Sequence, residues 1–488
     1  MKPYQLLPLR FHDFKNENML LVNEAGEFLF SSKEEFNNMI LYRLDTKSEI
    51  FLDLKSKHFL TDTEIEPVIK MLATKYRTKK SFLYDFTSLH MVVPTLRCNS
   101  KCKYCQVSSK SEDAVKYDMD KSTAKRTVDL IFMSPSSSIK IEFQGGEPLL
   151  NFEIVKYIID YAEQCNLTKK KKLEFVVCTN LTLITEEILK YLQNHKAYIS
   201  TSLDGAMALH NNNRPFRNGQ GSYEVVTKNI KRVHEYLGEG SVSALMTATK
   251  ASLEQFTDII DEYLAQGFNA IFIRSLNPYG TAKEDLDSLG YRIEDFIKSY
   301  KKALKHIINI NLNGTFFVEC YASILLGKIL TPFTTGFVDL QSPSGVAISG
   351  VIYNHDGYVY VSDEARMLAN AGDATFSMGS VHENTYQELF HSDKIVSLLK
   401  KSCLECLPIC SHCAFQSYCG VDPIRNYAEQ GEIVGNRMTS AVCKINIAIF
   451  QYLFELIKEN DKPTMDVLWS WITHKPIVKE KQISHESN

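Results

Sequence analysis

The chain has 488 residues, of which 44% are hydrophobic and 23% charged, so it can bury a sizeable core; at about 150 residues per domain it divides into two or three. Lys plus Arg number 55 against 58 for Asp plus Glu, so nothing in the net charge of -3 points to nucleic acid or an anionic membrane as a partner. No apolar run reaches the roughly 18–20 residues that span a bilayer, and the opening "MKPYQLLPLRFHDFKNEN" is broken by Pro and charges where a secretory signal would be apolar; the expected location is the cytoplasm.

Residues 1–85 read as a small α+β module. "MLLVNEAGEFLFSS" predicts a hairpin with Gly26 near its turn, followed by helical "KEEFNNMILYRL" and "DTEIEPVIKMLATKYRT". From 91 to about 280, β-rich runs alternate with helical stretches. The predicted strands are 91–96, 139–144, 173–179, 197–203, 242–248 and 270–276. "NFEIVKYIIDYAEQC" and "EEILKYLQN" fill two of the gaps as helices, and "KKKK" at 169–172 reads as a solvated loop. Six β-α repeats predict an α/β fold, a partial (β/α)6 TIM barrel over residues 86–309. In such sheets functional residues gather at the carboxyl ends of the strands. Residues 310–459 are mixed: a hairpin at 350–364 with "HDG" as its turn, a cysteine-rich stretch, then the apolar helix "INIAIFQYLFELIKEN". Residues 460–488 read as a tail whose polar end, "KEKQISHESN", is expected to be disordered.

The 12 cysteines are unevenly spread. Cys98, Cys102 and Cys105 lie together, and so do Cys403, Cys406, Cys410, Cys413, Cys419 and Cys443. In a reducing compartment such density favours metal over disulfides. Cys165, Cys178 and Cys320 stand apart and read as small apolar packing groups. The CxxxCxxC stretch follows the first barrel strand. Three thiolates suit a four-iron cube with one iron left open for a ligand; a zinc site completed from afar and one face of a helix are the alternatives. The second strand ends in Gly145-Gly146-Glu147-Pro148, two glycines that permit close backbone approach and a carboxylate suited to an ammonium. "CTN" (178–180), "SLDG" (202–205) and "HNNNRPFRNGQGSY" (210–223) follow later strands.

In this order and spacing the motifs resemble the radical SAM superfamily, over about residues 90–450. The resemblance implies a [4Fe-4S] cluster on Cys98, Cys102 and Cys105, whose open iron binds S-adenosylmethionine; an electron then cleaves the sulfonium to a 5′-deoxyadenosyl radical, which abstracts hydrogen from a substrate. It further implies that Tyr104 lies near the adenine, that Gly145, Gly146 and Glu147 receive the methionine ammonium, and that Asn180 and Ser202 lie along the ribose and carboxylate side. Arg214 would pair with the carboxylate, and Asp204 would cap its loop. Leu181 departs from the Thr-Asn-Gly that many relatives have after the third strand.

The later cysteines resemble the SPASM extension, which implies an auxiliary [4Fe-4S] cluster on Cys410, Cys413, Cys419 and Cys443. Pro423 stands where that pattern has another cysteine, and the 350–364 hairpin has none, so Cys403 and Cys406 are left without an assigned role. Zinc is the alternative here. "YQLLPLRF", "LLVNEAGEFLF", "YNHDGYVYVSDEARML" and "CGVDP" narrow the resemblance to the maturase of the His-Xaa-Ser peptide system. The expected activity is therefore modification of a ribosomally made peptide or protein side chain, with an electron donor such as flavodoxin or ferredoxin. Formylglycine formation of the anaerobic sulfatase-maturase type and a non-enzymatic iron–sulfur protein are the competing readings. Residues 1–85 are expected to recognise the substrate, or else only to cap the barrel.

Overall fold

A computed structural model describes residues 2–14 and 17–477; the predicted disorder of 479–488 lies outside them. The N-terminal unit is a three-stranded antiparallel sheet, β1 (Leu9–Phe14), β2 (Asn18–Asn23) and β3 (Phe28–Ser32), in that order. The predicted hairpin is β2–β3, and Gly26 takes φ +73 in its turn, a backbone conformation that glycine adopts without strain. Helices Lys33–Ile40 and Ile65–Lys79 follow as expected. The unit does not stand apart from the rest. Phe28 and Phe30 meet Phe454 at ring-centroid distances of 5.1 and 6.2 Å. Arg10 Nε donates to Ser411 O at 2.8 Å, and the Tyr418 hydroxyl donates to Gly26 O at 2.9 Å. Leu20 and Val22 belong to the main core. The sheet thus covers the cysteine-rich segment and helix Ala441–Glu459. Deleting residues 2–80 is therefore expected to expose Phe454 and Tyr418 and to give an aggregating or much less stable protein, read by size-exclusion chromatography and thermal unfolding.

The central sheet carries the six predicted strands: β4 (Leu89–Thr95), β5 (Ser138–Gly145), β6 (Lys172–Cys178), β7 (Tyr198–Ser202), β8 (Val242–Thr247) and β9 (Ala270–Arg274). Neighbours in this series are parallel. Their helices pack outside; Phe152–Lys169 turns Ile154, Val155, Ile158, Ile159 and Ala162 inward, a helical stripe. Thr185 Oγ1 accepts from Ile188 N at 3.2 Å and so starts helix Glu186–Asn194. The sheet extends beyond the predicted barrel. β10 (Val318–Glu319) adds parallel to β9, while β11 (Gly350–Tyr353) adds parallel to β4 and continues into antiparallel β12 (Tyr358–Tyr360) and β13 (Ser377–Ser380). The predicted 350–364 hairpin is β11–β12, with Gly357 at φ +85 in the turn. Val92 and Val93 of β4 are fully buried in different clusters, so both faces of the sheet are covered at this strand.

The tail drawn from residue 460 begins with structure. Lys462–Thr473 is a helix, capped by Asp461, whose carboxylate accepts from Thr464 N at 3.1 Å. Val467, Leu468 and Trp471 are buried in the main core. The capping Asp and the Pro of the first turn carry the start signal, set against the polar flanks that made the segment look like a tail. No helix among the described residues is long and apolar enough to cross a membrane.

Candidate functional site

The Cys98–Cys105 loop leaves the carboxyl end of β4 and is fixed by segments that follow other strands. Lys101 N donates to Pro215 O at 2.8 Å, Lys103 N to Asn213 O at 2.9 Å, and Thr281 N to Cys105 O at 2.9 Å. Arg217 Nε donates to Cys98 O at 2.6 Å. Two donors face the Cys98 sulfur, Ser100 N at 3.4 Å and Asn180 Nδ2 at 4.0 Å. Burial pushes the Cys98 thiol up, and Glu147, Cys102 and Cys105 add to it; burial also pushes Cys102 up to about 11, opposed by Arg214. Cys98 thus feels the charge of both other thiols. Among the described residues no three His, Cys, Asp or Glu side chains converge closely enough for a single metal ion. A four-iron cube takes its thiolates at wider spacing, at separate corners, and N–H groups directed at sulfur are the surroundings such clusters have.

The glycines after β5 serve the approach of one loop to another. A Cβ on Gly145 would lie 2.3 Å from Thr95 O, and one on Gly146 would lie 2.1 Å from Arg97 O. Gly146 N donates to Thr95 O at 2.9 Å and Glu147 N to Arg97 O at 2.7 Å, which clamps the Gly-Gly turn to the residues before Cys98. Gly146→Ala must push the two apart, and a displacement of about 1 Å is enough to cost about 10²-fold in rate; 5′-deoxyadenosine formation is expected to fall by that order and reads it directly. The Glu147 carboxylate is fully buried and accepts from Thr179 Oγ1 at 2.6 Å, Asn180 N at 2.8 Å and Leu149 N at 3.1 Å. Burial pushes it up to about 6 against these donors. Asn180 Nδ2 in turn donates to Asn99 Oδ1 at 2.8 Å and Ser100 Oγ at 3.1 Å. Glu147 and Asn180 therefore tie the second and third strand ends to the cysteine loop.

Tyr104 is buried against Leu276, Ala282 and Leu289. Its hydroxyl lies 2.8 and 2.7 Å from the two Asp204 oxygens and accepts from Arg214 Nη1 at 2.9 Å. Asn213 Nδ2 donates to Asp204 Oδ2 at 3.1 Å. The Asp204 carboxylate thus holds Tyr104 and is balanced by Arg214. Ser202 sits at the carboxyl end of β7 opposite Leu245 of β8.

Cys410, Cys413, Cys419 and Cys443 lie together: all are pushed up by burial, Cys410 to about 12 and Cys413 to about 11, and Cys419 adds to the shift of the other three. The Arg437 guanidinium opposes this at Cys410, Cys419 and Cys443, and Arg10 opposes it at Cys413. Asn446 Nδ2 donates to Cys419 Sγ at 3.7 Å, oriented by the Tyr321 hydroxyl, 2.7 Å from Asn446 Oδ1. Arg10 Nη1 is buried without a partner. Four thiols, two cations and an unanswered donor fit a bound anionic cluster. Cys403 neighbours Cys406, which is exposed, and the two are not among the charges that shift the four.

Cys178 departs from its expected role as a packing group. Its thiol donates to Glu142 Oε1 at 3.4 Å, which also accepts from Gln144 Nε2 at 2.5 Å. Glu142, Gln144 and Cys178 lie on β5 and β6, so the barrel interior near the mouth is polar. Alternation along these strands, polar residues falling among apolar ones, is the sequence signal for it.

The sequence profile of the Radical SAM superfamily matches residues 92–263. An uncharacterized protein of Methanocaldococcus jannaschii is 30% identical over 226 residues, 45% of this chain and 73% of that one. The cysteine-type anaerobic sulfatase-maturating enzyme of Clostridium perfringens (strain 13 / Type A) is 25% identical over 376 residues, 73% of this chain and 93% of that enzyme. Among solved structures, native anSMEcpe with bound AdoMet aligns at TM-score 0.63 and 20% identity over 76% of this chain and 98% of that one. Streptococcus suis SuiB bound to precursor peptide SuiA aligns at TM-score 0.53 and 13% identity over 90% of this chain and 100% of that one.

Proposed function

Since the chain belongs to the radical SAM superfamily, we propose that it uses this chemistry to modify a side chain of a peptide or protein. The observation that carries the reading is the pairing of a three-thiol loop at the barrel mouth with a four-thiol group on the extension packed beside it. Cys98, Cys102 and Cys105 hold the [4Fe-4S] cluster that binds S-adenosylmethionine, and Cys410, Cys413, Cys419 and Cys443 hold an auxiliary one. Together the reduced cluster and S-adenosylmethionine supply the one-electron chemistry that removes a hydrogen atom from the substrate.

The chain's own residues orient the ligand. In this proposal the backbone of Gly145, Gly146 and Glu147 accepts the methionine ammonium, with the Glu147 carboxylate fixing the loop. Arg214 offers the carboxylate the guanidinium nitrogens that Tyr104 leaves free. Tyr104 closes the adenine side, and Asn180 and Ser202 flank the ribose. Relatives support a peptide substrate: SuiB has been solved with precursor peptide SuiA and native anSMEcpe with the Cp18Cys peptide. The N-terminal sheet adds a second role to its capping one. Edge strand β1 pairs only with β2 among the described residues and exposes Phe11 at 52%, an edge to which an extended leader segment can add as a strand. The finer assignment, to the maturase of His-Xaa-Ser peptides, rests on the motifs quoted above.

Formylglycine formation is the second reading, favoured by identities of 24–26% with cysteine-type sulfatase-maturating enzymes. Co-expression with small peptides encoded nearby, followed by tandem mass spectrometry, tests the proposal. A mass change confined to a peptide supports it. A conversion of Cys or Ser to formylglycine favours the second reading, and the absence of 5′-deoxyadenosine from the reduced, iron-loaded protein overturns both.

A further inference from the structure

Beside the auxiliary thiols lies a cavity that the roles assigned so far leave unused. Its volume is about 40 Å³, and Cys419 forms part of its wall. Lys79 and Lys80 of the N-terminal unit line it from one side, Lys328 of helix Cys320–Leu330 and Gln341 from the other. Phe333, 65% exposed, also lines it, so the cavity reaches the surface. Space of that size holds about three waters at roughly 10–15 Å³ each, which suits a carboxylate and is too small for a nucleotide. The cavity therefore joins the unit expected to recognise the substrate to the segment that carries the four thiols.

Its charges leave two cations unanswered. Two carboxylates line it, and each has a cation of its own: Glu24 Oε2 lies 2.9 Å from Arg10 Nη2, and Glu405 Oε1 lies 2.6 Å from Lys80 Nζ. Glu405 also accepts from the Tyr76 hydroxyl at 3.0 Å and from Ser342 Oγ at 2.5 Å. Lys79 Nζ, by contrast, donates to a main-chain carbonyl, Lys328 O at 3.0 Å, and Lys328 Nζ donates to Leu340 O. Glu27, the acid that acts on Lys79, is engaged by Lys75 Nζ at 2.5 Å. Burial pushes Lys79 down to about 8 and Lys328 to about 7, and an anion in the cavity would favour both charged forms. A third donor is independent of these charges. Gln341 is only 4% exposed and its Nε2 has no partner, whereas its Oε1 accepts from Ser349 Oγ at 2.7 Å. A buried amide N–H left unanswered costs free energy that an acceptor would recover. Two ammoniums and an amide donor call for a small group that only accepts and carries negative charge.

We propose that this cavity is a carboxylate site, which seats an Asp or Glu side chain of the peptide substrate where the N-terminal unit meets the extension. The source of the carboxylate rests on the peptide-substrate reading above; the site itself does not. The test titrates the iron-loaded enzyme by calorimetry with four probes: the N-acetyl methylamides of glutamate and glutamine, propionate and propionamide. The glutamate probe is expected to bind at least about tenfold tighter than its neutral glutamine counterpart. Lys79→Gln is expected to erase most of that preference and Gln341→Leu to reduce it several-fold, while iron content and circular dichroism report that both variants are folded. Equal affinity for the glutamate and glutamine probes, the result expected if the lysines only balance a cluster at Cys419, overturns the proposal. So does a full preference in folded Lys79→Gln. Propionate favoured over propionamide, with no preference between the two larger probes, assigns the site to a free acid and overturns its assignment to the substrate. A retained glutamate preference with no peptide modified on co-expression upholds the site and counts against the peptide-substrate reading alone.

Discussion

Cys102→Ala is expected to abolish 5′-deoxyadenosine formation, with iron falling by about four atoms per chain. Cys102 sits mid-loop, and two thiolates cannot hold a cube with one distinct open iron. The fold should survive. The neighbours of Cys102 are fixed through main-chain groups, Lys101 N to Pro215 O at 2.8 Å and Lys103 N to Asn213 O at 2.9 Å, neither of which involves the thiol. Removing it also removes a half-buried thiol whose charged form its surroundings disfavour, the shift being up to about 11. Arg214, which opposes that shift, keeps Tyr104 as its acceptor. Thermal unfolding of the iron-free variant is thus expected to match iron-free wild type within a few degrees. The same holds for Cys98→Ala and Cys105→Ala, although Cys98 also loses the contacts from Ser100 N and Asn180 Nδ2. Wild-type 5′-deoxyadenosine production by any of the three would sink the cluster assignment.

The barrel was legible because each of its strands is a short β-branched run between helical stretches, and period alone separates the two. The cysteine loop was legible because all its thiols lie within eight residues of sequence. What the sequence hid depends on contacts between distant segments. β10 and β11 extend the sheet on either side, yet β10 is a two-residue strand and β11 pairs with a strand 261 residues earlier. The helix Lys462–Thr473 looked like tail because polar residues surround its Val467, Leu468 and Trp471 stripe. Glu147 reads in sequence as a carboxylate suited to an ammonium, but the fold brings Thr179 and Asn180 to it. Cys178, read as packing, meets Glu142 of the next strand because parallel pairing sets β6 beside β5.

Cys413→Ala is expected to lose about half of the bound iron while uncoupled cleavage of S-adenosylmethionine continues. The two thiol groups have separate supports. The first is held by the segments at 213–217 and 281, whereas the second lies between the N-terminal sheet, through Arg10 to Ser411 O at 2.8 Å, and helix Ala441–Glu459, which carries Cys443. Loss of one cluster therefore leaves the other's anchors in place. Peptide modification should fall much further than uncoupled cleavage, because the first thiol loop alone serves the cleavage of S-adenosylmethionine. Removing Cys413 leaves Arg10 with Glu24 Oε2 at 2.9 Å as its remaining charged partner, and the buried Nη1 stays unanswered. A drop in unfolding temperature of several degrees is consistent with that cost. Cys406→Ala is the control: its thiol is exposed and outside the four, so iron should stay at wild-type level. Iron lost from Cys406→Ala would instead make Cys403 and Cys406 ligands. Unchanged iron in Cys413→Ala would mean that the four thiols hold no cluster, and complete loss of S-adenosylmethionine cleavage in a soluble variant would mean that the two sites fill as one.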